Sequence, residues 1–204
     1  MTLDASSPAA AAASIARDLR QVVEHRGHAT LALAGGRTPG PVYDHLAAED
    51  VPWSEVTAVM GDERDVDEGH ERSNIGMARR HLGHLPMAWL DLRHEAPERV
   101  DVAVLGWGTD GHTASWFPDL HDEDLQHLFS STHVRERVAP PSQPEARWTL
   151  TPEAILAAEH VHLIGSGAEK ATVLDTVRIE ADARTHPVHL VLTGASALDV
   201  WWWP

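Results

Sequence analysis

The sequence predicts an α/β fold, a single domain over residues 1–204 with a mostly parallel sheet flanked by helices. Three observations lead there. Short apolar blocks of strand length alternate with segments carrying helix-start signals, the pattern of βαβ units covered on both faces. Hydrophobic residues make up 43% of the chain and charged residues 23%, which is enough apolar material for a packed core and excludes global disorder. A length of 204 residues suits one such core, and no internal repeat or long linker divides it.

In chain order, Ser7-Pro8 places an N-cap and an N1 proline ahead of an Ala-rich helix that runs to Arg26, with Gly27 at its end. Residues 29–34 read as a buried strand. Gly35-Gly36-Arg37-Thr38 breaks the pattern, and a helix starts at Pro39 or Gly40 and continues to Ala48. A second strand spans 56–60 and leads into a charged loop, 61–72. Ser73 caps a helix from Asn74 to about Gly83. The clearest buried strand is 100–105, followed by the glycine-rich stretch 106–112. Later segments read as a strand at 128–134, a proline-rich loop at 140–144, a strand at 147–150 and a helix at 151–158. A strand at 160–164, a helix from 168 to about 181 and a last core strand at 188–192 complete the pattern.

The composition removes several function classes. A formal net charge of −15 at pH 7 repels phosphate backbones and anionic lipid, so neither nucleic acid nor membrane is an expected partner. The absence of cysteine excludes disulfides, thiolate metal sites and a cysteine nucleophile. The N-terminal stretch lacks a basic n-region and an apolar h-region, and no apolar run is long enough to span a bilayer, so a soluble, cytoplasmic protein is expected. Of the basic residues, only Lys170 is a lysine. A lone ammonium amid arginines marks a place where a compact point charge is needed.

Open α/β sheets bind ligands outside the carboxyl ends of their strands, which directs attention to the residues just after 34, 60, 105 and 164. After the first strand, Gly35, Gly36, Arg37 and Thr38 combine free backbone N–H groups, a hydroxyl and a helix start, a natural phosphate cradle. The Gly-Lys-Ser/Thr ending of a Walker A loop is missing. After the second, Asp62-Glu63-Arg64 offers adjacent carboxylates to orient a polyhydroxyl compound and a guanidinium for an anion. The third strand ends in Gly106-Trp107-Gly108-Thr109-Asp110-Gly111, a formal G-x-G-x-x-G. Pro118 follows too soon for a dinucleotide-binding helix, so the glycines instead present His112, a residue suited to general-base work near neutral pH. After the later strand, Gly165-Ser166-Gly167 opens a helix that carries Lys170 one turn in, within reach of a phosphate at Thr38.

Other chemistries find less support. His160 with His162, and His81 with His84, could share faces, yet no carboxylate set at ligand spacing accompanies them. No G-x-S-x-G elbow supplies a serine nucleophile, so water is the nucleophile if the chain hydrolyses anything. Trp201-Trp202-Trp203 lacks interleaved basic residues and reads as core or edge packing.

Taken in order, GGRTPG (35–40), DERDV (62–66) with ERSN (71–74), DVAVLGWGTDGHTASWFP (101–118), RWTLTPEAI (147–155) and HLIGSGAEKA (162–171) closely resemble the 6-phosphogluconolactonase branch of the glucosamine-6-phosphate isomerase/6-phosphogluconolactonase family. The resemblance covers most of residues 31–175, and DGHTAS-x-FP is its specific element. It implies a fold of the glucosamine-6-phosphate and ribose-5-phosphate isomerase type, and hydrolysis of 6-phospho-D-glucono-1,5-lactone to 6-phosphogluconate in the pentose phosphate pathway. A phosphorylated sugar lactone is the implied small-molecule partner, a monomer the implied state, and no metal or organic cofactor is implied.

Carried onto this sequence, the resemblance implies His112 as the base that activates water. Asp110 and Asp62 orient His112 or sugar hydroxyls, and Gly35, Gly36, Thr38, Lys170 and Arg64 face the phosphate. Arg64 or a glycine-loop N–H also serves the developing oxyanion. Arg37 stands where the family usually has a small hydroxyl residue, and Trp107 where it has Met. The 84–100 segment is shorter than usual, so one core element is expected to be abbreviated. Two rivals stay in view. A glucosamine-6-phosphate deaminase would continue the motif toward Asn-Glu-Pro, where this chain has Phe117-Pro118. A non-catalytic sugar-phosphate sensor would keep the glycine loop and Lys170 but show no turnover.

Overall fold

Six strands, all paired in parallel, carry the fold in this computed structural model, which describes residues 6–180 and 182–204. Across the sheet they run β4 (Ala88–Leu90), β2 (Val56–Met60), β1 (Ala29–Leu33), β5 (Val102–Gly106), β8 (His160–Ser166) and β9 (Leu198–Trp203). The chain enters at β1, steps outward through β2 to β4, then returns to β5 on the other side of β1. Strand order therefore reverses between β1 and β5, and a crevice opens there beyond the carboxyl ends. A smaller antiparallel sheet, β3 (Asp62–Arg64), β7 (Arg147–Leu150) and β6 (Arg135–Val138), projects past the end of β2. Leu150 N–H donates to Gly61 O at 2.8 Å and ties the two sheets together.

Alternation along each central strand sends neighbours to opposite faces. Leu31, Leu33, Val102, Val104 and Ile164 pack on one side against α1 (Pro8–Arg26), α2 (Gly40–Leu46) and α3 (Asn74–Leu82). Ala32, Ala103, Leu105, Val161 and Leu163 face the other side. There they meet α4 (Asp122–Ser130), α5 (Pro152–Leu156), α6 (Ala168–Glu180) and α7 (Val188–Gly194). This two-sided cover explains why β1 is buried at all five positions. Among the described residues no helix is long and apolar enough to cross a membrane.

Helix α1 forms as its sequence suggests. The Ser7 side chain accepts from Ala10 N–H, Pro8 occupies the first turn, and Ile15, Leu19 and Val22 repeat on the buried face. Gly27 ends it at φ 77° with its N–H donating to Val23 O. A Cβ at Gly27 would meet nothing within 4 Å, so its constraint is conformational alone. Gly27→Ala is therefore expected to cost about 1 kcal/mol, measured as a lower urea midpoint with unchanged slope.

Three segments differ from the sequence expectation. Of residues 128–134, expected as a strand, 128–130 end α4 and 131–134 form the loop that leads to β6. Asp122, Glu123 and Asp124 fill that helix's first turn, where they meet the positive end of its dipole, and Leu125 and Leu128 are buried three apart, at helical spacing. Residues 188–192, expected as the last core strand, begin α7, with Val188 and Val191 buried at the same spacing. A five-residue apolar run does not distinguish helix from strand. The last strand is instead β9, whose tryptophans lie at the sheet edge beside β8. The charged stretch 61–72 contains β3, so its start is paired and largely buried. The short 84–100 segment retains a strand of only three residues, β4.

Candidate active site

The crevice at the β1/β5 reversal is a cleft of about 200 Å3. Its walls come mainly from the four strand ends singled out in the sequence, 34–39 after β1, Gly61, Asp62 and Arg64 after β2, the end of β5 with Trp107, Gly108 and His112, and Lys170 beyond β8, and they are completed by Asn74 and Arg147. Arg37, Arg64, Arg147 and Lys170 all line it, against Asp62 as a lining carboxylate, so the cleft is locally cationic in a chain of net charge −15. Such a cleft favours an anionic ligand.

At one end lies the glycine loop. Gly36 takes φ 87°, a conformation open to glycine at little cost. Gly35 is pressed against Asn74: a Cβ there would fall 2.1 Å from Asn74 Oδ1. Lys170 Nζ donates to Thr38 Oγ1 at 3.3 Å, and Thr38 Oγ1 is 3.4 Å from Ser166 Oγ. The Gly35 loop and the α6 start thus converge on one point. Burial lowers the pKa of Lys170 from its ordinary value. Arg37 is exposed at the mouth.

At the other end stands His112. Its Nδ1 is 2.6 Å from Asp110 Oδ1, and its backbone N–H donates to the same oxygen at 3.2 Å. Gly108 makes room for this pair, since a Cβ there would lie 2.2 Å from His112 Nδ1 and 2.4 Å from Asp110 Oδ1. The imidazole stacks on Phe117 with ring centroids 4.2 Å apart and planes at 22°. With Nδ1 committed to Asp110, Nε2 is the nitrogen left for a ligand. Burial pushes the Asp110 carboxyl up, but the hydrogen bond and charge of His112 outweigh it and hold the carboxyl below its usual range.

Between the two ends the acidic motif divides its labour by strand alternation. Asp62 lines the cleft but is nearly buried, its carboxylate taken up by protein donors: Oδ2 accepts from Ser115 Oγ at 2.7 Å and from Arg147 Nη1 at 3.2 Å, and Oδ1 from Asn74 Nδ2 at 3.4 Å. Ala114, at φ 46°, is the only non-glycine residue with positive φ among the described residues, and the turn it makes directs Ser115 toward Asp62. Glu63 points the other way and is fully buried at the start of α3. It accepts from Asn74 N–H at 2.8 Å, Ile75 N–H at 2.6 Å and Arg64 N–H at 2.7 Å. Burial raises its pKa, and these N–H donors oppose the rise. The expectation that both adjacent carboxylates face a polyhydroxyl ligand is corrected for Glu63, which caps a helix instead. Arg64 lines the cleft and is anchored by Nη1 to Arg72 O.

Of the residues proposed from sequence, Gly35, Gly36, Arg37, Thr38, Asp62, Arg64, His112 and Lys170 all line this cleft, with Asp110 directly behind His112. Arg147, Asn74 and Ser115 were not singled out. Arg147 sits opposite Arg64 in the β3–β7 register, and its side chain is 5% exposed. Its signal was present in RWTLTPEAI, but pairing with β3 is what turns it toward the cleft.

The His and carboxylate grouping with metal-like geometry lies elsewhere, at Asp18, His162 and Asp199. There Trp201 Nε1–H donates to His162 Nδ1 at 3.2 Å, and His162 Nε2 is 3.0 Å from Asp18 Oδ2. Arg17 pairs with Asp18 at 2.8 Å and lies 3.8 Å from Asp199. The Arg17 guanidinium already offsets these carboxylates, and the grouping is a polar network, buried at Asp18 and His162 and exposed at Arg17 and Asp199, that joins α1, β8 and β9.

The profile of the family described as glucosamine-6-phosphate isomerases/6-phosphogluconolactonase matches residues 4–90 and 88–202. A 6-phosphogluconolactonase of Pseudomonas aeruginosa is 36% identical over 214 residues, covering 95% of this chain and 89% of that protein. One of Neisseria meningitidis is 31% identical, covering 88% and 86%. The crystal structure of a 6-phosphogluconolactonase from Shewanella baltica superposes with a TM-score of 0.91 at 28% identity, covering all of this chain and 98% of that one. From profile, relatives and architecture alike, the chain belongs to the glucosamine-6-phosphate isomerase/6-phosphogluconolactonase family.

Proposed function

We propose that the protein hydrolyses 6-phospho-D-glucono-1,5-lactone to 6-phosphogluconate, with His112 as general base. The observation that carries this reading is the placement of the Asp110–His112 pair and the Lys170–Thr38 contact in one cleft with a surplus of positive charge. The phosphate docks on the backbone of Gly35 and Gly36 with Thr38, Lys170 and Arg37 around it. That contact orients the lactone carbonyl toward His112.

His112 Nε2 takes a proton from water as the water oxygen attacks the carbonyl carbon. Negative charge develops on the carbonyl oxygen, where Arg64 and the N–H groups of the glycine stretch after β5 are the available donors. The bond from that carbon to the ring oxygen then breaks, and the imidazolium returns its proton to the departing oxygen. Asp110 fixes the tautomer and offsets the transient imidazolium charge. Asp62 contributes by holding Arg147 and Ser115 in place. Phe117 covers the His112 ring where a deaminase would set an acid, which favours water activation over an isomerising relay.

The test follows hydrolysis of freshly generated 6-phosphogluconolactone, corrected for the spontaneous reaction. Acceleration well above background is expected. A rate equal to background, with 6-phosphogluconate still binding by calorimetry, would replace this reading with a sugar-phosphate sensor.

A further inference from the structure

Trp107 stands apart from the other residues of the glycine stretch that ends β5. It is a bulky side chain in a run of glycines, it is 2% exposed, and it forms part of the cleft wall. Three contacts define its seat. Its Nε1–H donates to the backbone oxygen of Lys170 at 2.9 Å. The Lys170 ammonium lies 5.8 Å from the centre of the indole, within range of a cation–π attraction. The far edge of the indole covers Gly165, where a Cβ would fall 2.2 Å from Trp107 Cη2. Gly165 is therefore the space that admits the ring.

These contacts join two loops that are distant in sequence. The stretch after β5 carries His112, and the turn after β8 leads to Lys170. The indole spans them, fixing the first turn of α6 by its backbone and the ammonium by its π face. A lysine side chain has four rotatable bonds, and without a wall its ammonium would sample solvent as readily as the glycine loop.

We propose that Trp107 is a positioning residue that holds the Lys170 ammonium beside Thr38, and so sets how strongly the cleft discriminates a phosphorylated lactone from the same lactone without phosphate. This rests on the reading of Lys170 as a phosphate contact. Trp107 touches no reacting atom in this scheme and acts through Lys170.

The experiment compares kcat/KM for 6-phosphogluconolactone with that for glucono-1,5-lactone in wild type, Trp107→Phe and Trp107→Leu, each checked for folding by thermal melting. The ratio is expected to fall about fivefold in Trp107→Leu, which loses ring and N–H, and by less in Trp107→Phe, which keeps a ring. A wild-type preference for phosphate that Trp107→Leu leaves intact would overturn this inference alone. A wild-type ratio near one would overturn the phosphate reading as well.

A second measurement needs no variant. Lys170 is the only lysine, so lysine labelled with ¹³C at Cε gives a single NMR signal. Its attached protons are expected upfield of free lysine because the indole ring current shields them, and to move when inorganic phosphate is added. A signal at the free-lysine position would mean that the ammonium does not rest on the ring, and the inference would fail.

Discussion

Replacing His112 by alanine is expected to lower kcat for 6-phosphogluconolactone by roughly 10²- to 10⁴-fold, the range over which a positioned general base accelerates proton transfer. KM is expected to stay within about threefold, because the phosphate contacts lie at the other end of the cleft and are made equally in ground and transition states. The fold should tolerate the change. The His112 side chain is 30% exposed, and its loss removes one stacking partner of Phe117 without leaving a buried charge.

Asp110→Asn gives the companion result. The amide can still meet Nδ1, but it no longer favours the tautomer with Nε2 free, so an intermediate loss of kcat is expected. The pH dependence follows from the sign of the Asp110 shift. Its folded pKa is held below the ordinary carboxylate value by the His112 hydrogen bond and charge, acting against burial. The pair's contribution to stability is therefore complete above the ordinary Asp pKa, and is lost as pH falls through the depressed one. At neutral pH Asp110 is ionised throughout. A His112→Ala enzyme with wild-type kcat would place the base elsewhere.

How far these residues could be read from sequence depended on whether local signals or strand pairing fixed them. Helix α1 was legible from its cap, its proline and its terminal glycine because all three act within a few residues. The four strand ends were legible because a parallel sheet brings its carboxyl ends together whatever the strand order. Asp62 and Glu63 were read as alike, since nothing in the sequence says that α3 starts where only Glu63 can reach its N–H groups. Arg147 was missed for a related reason: its place opposite Arg64 exists only once β7 pairs with β3. The strand expected at 188–192 failed because five apolar residues carry no decisive period, and tertiary packing made the choice.

Arg147→Met is the second substitution with a large expected effect, and it acts through stability. The Asp62 and Arg147 side chains are 9% and 5% exposed, and their ion pair spans 3.2 Å. Burial lowers the Arg147 pKa, the charge of Asp62 opposes this, and the charge of Arg64 adds to it; even so, a guanidinium remains protonated. Removing it leaves the Asp62 carboxylate buried with only the neutral donors Ser115 Oγ and, at 3.4 Å, Asn74 Nδ2, a loss of about 3–5 kcal/mol in urea unfolding at neutral pH. Asp62→Asn alone leaves a buried guanidinium without its counter-charge and is also expected to destabilise. The double variant Asp62→Asn/Arg147→Met should cost clearly less than the sum of the two, because neither charge is then left alone. Activity should fall further than stability alone explains. Arg147 also lies 5.2 Å over the Phe117 ring on which His112 stacks, and Asp62 orders Ser115 just after the base. The measurement is therefore paired: unfolding free energies for the cycle, and kcat at a temperature where each variant is folded. Additive single and double losses would mean that the two side chains are not energetically coupled and that the pair does not support the site. A non-additive cycle with reduced kcat would make the pair the support on which the base and the cationic wall of the cleft are aligned.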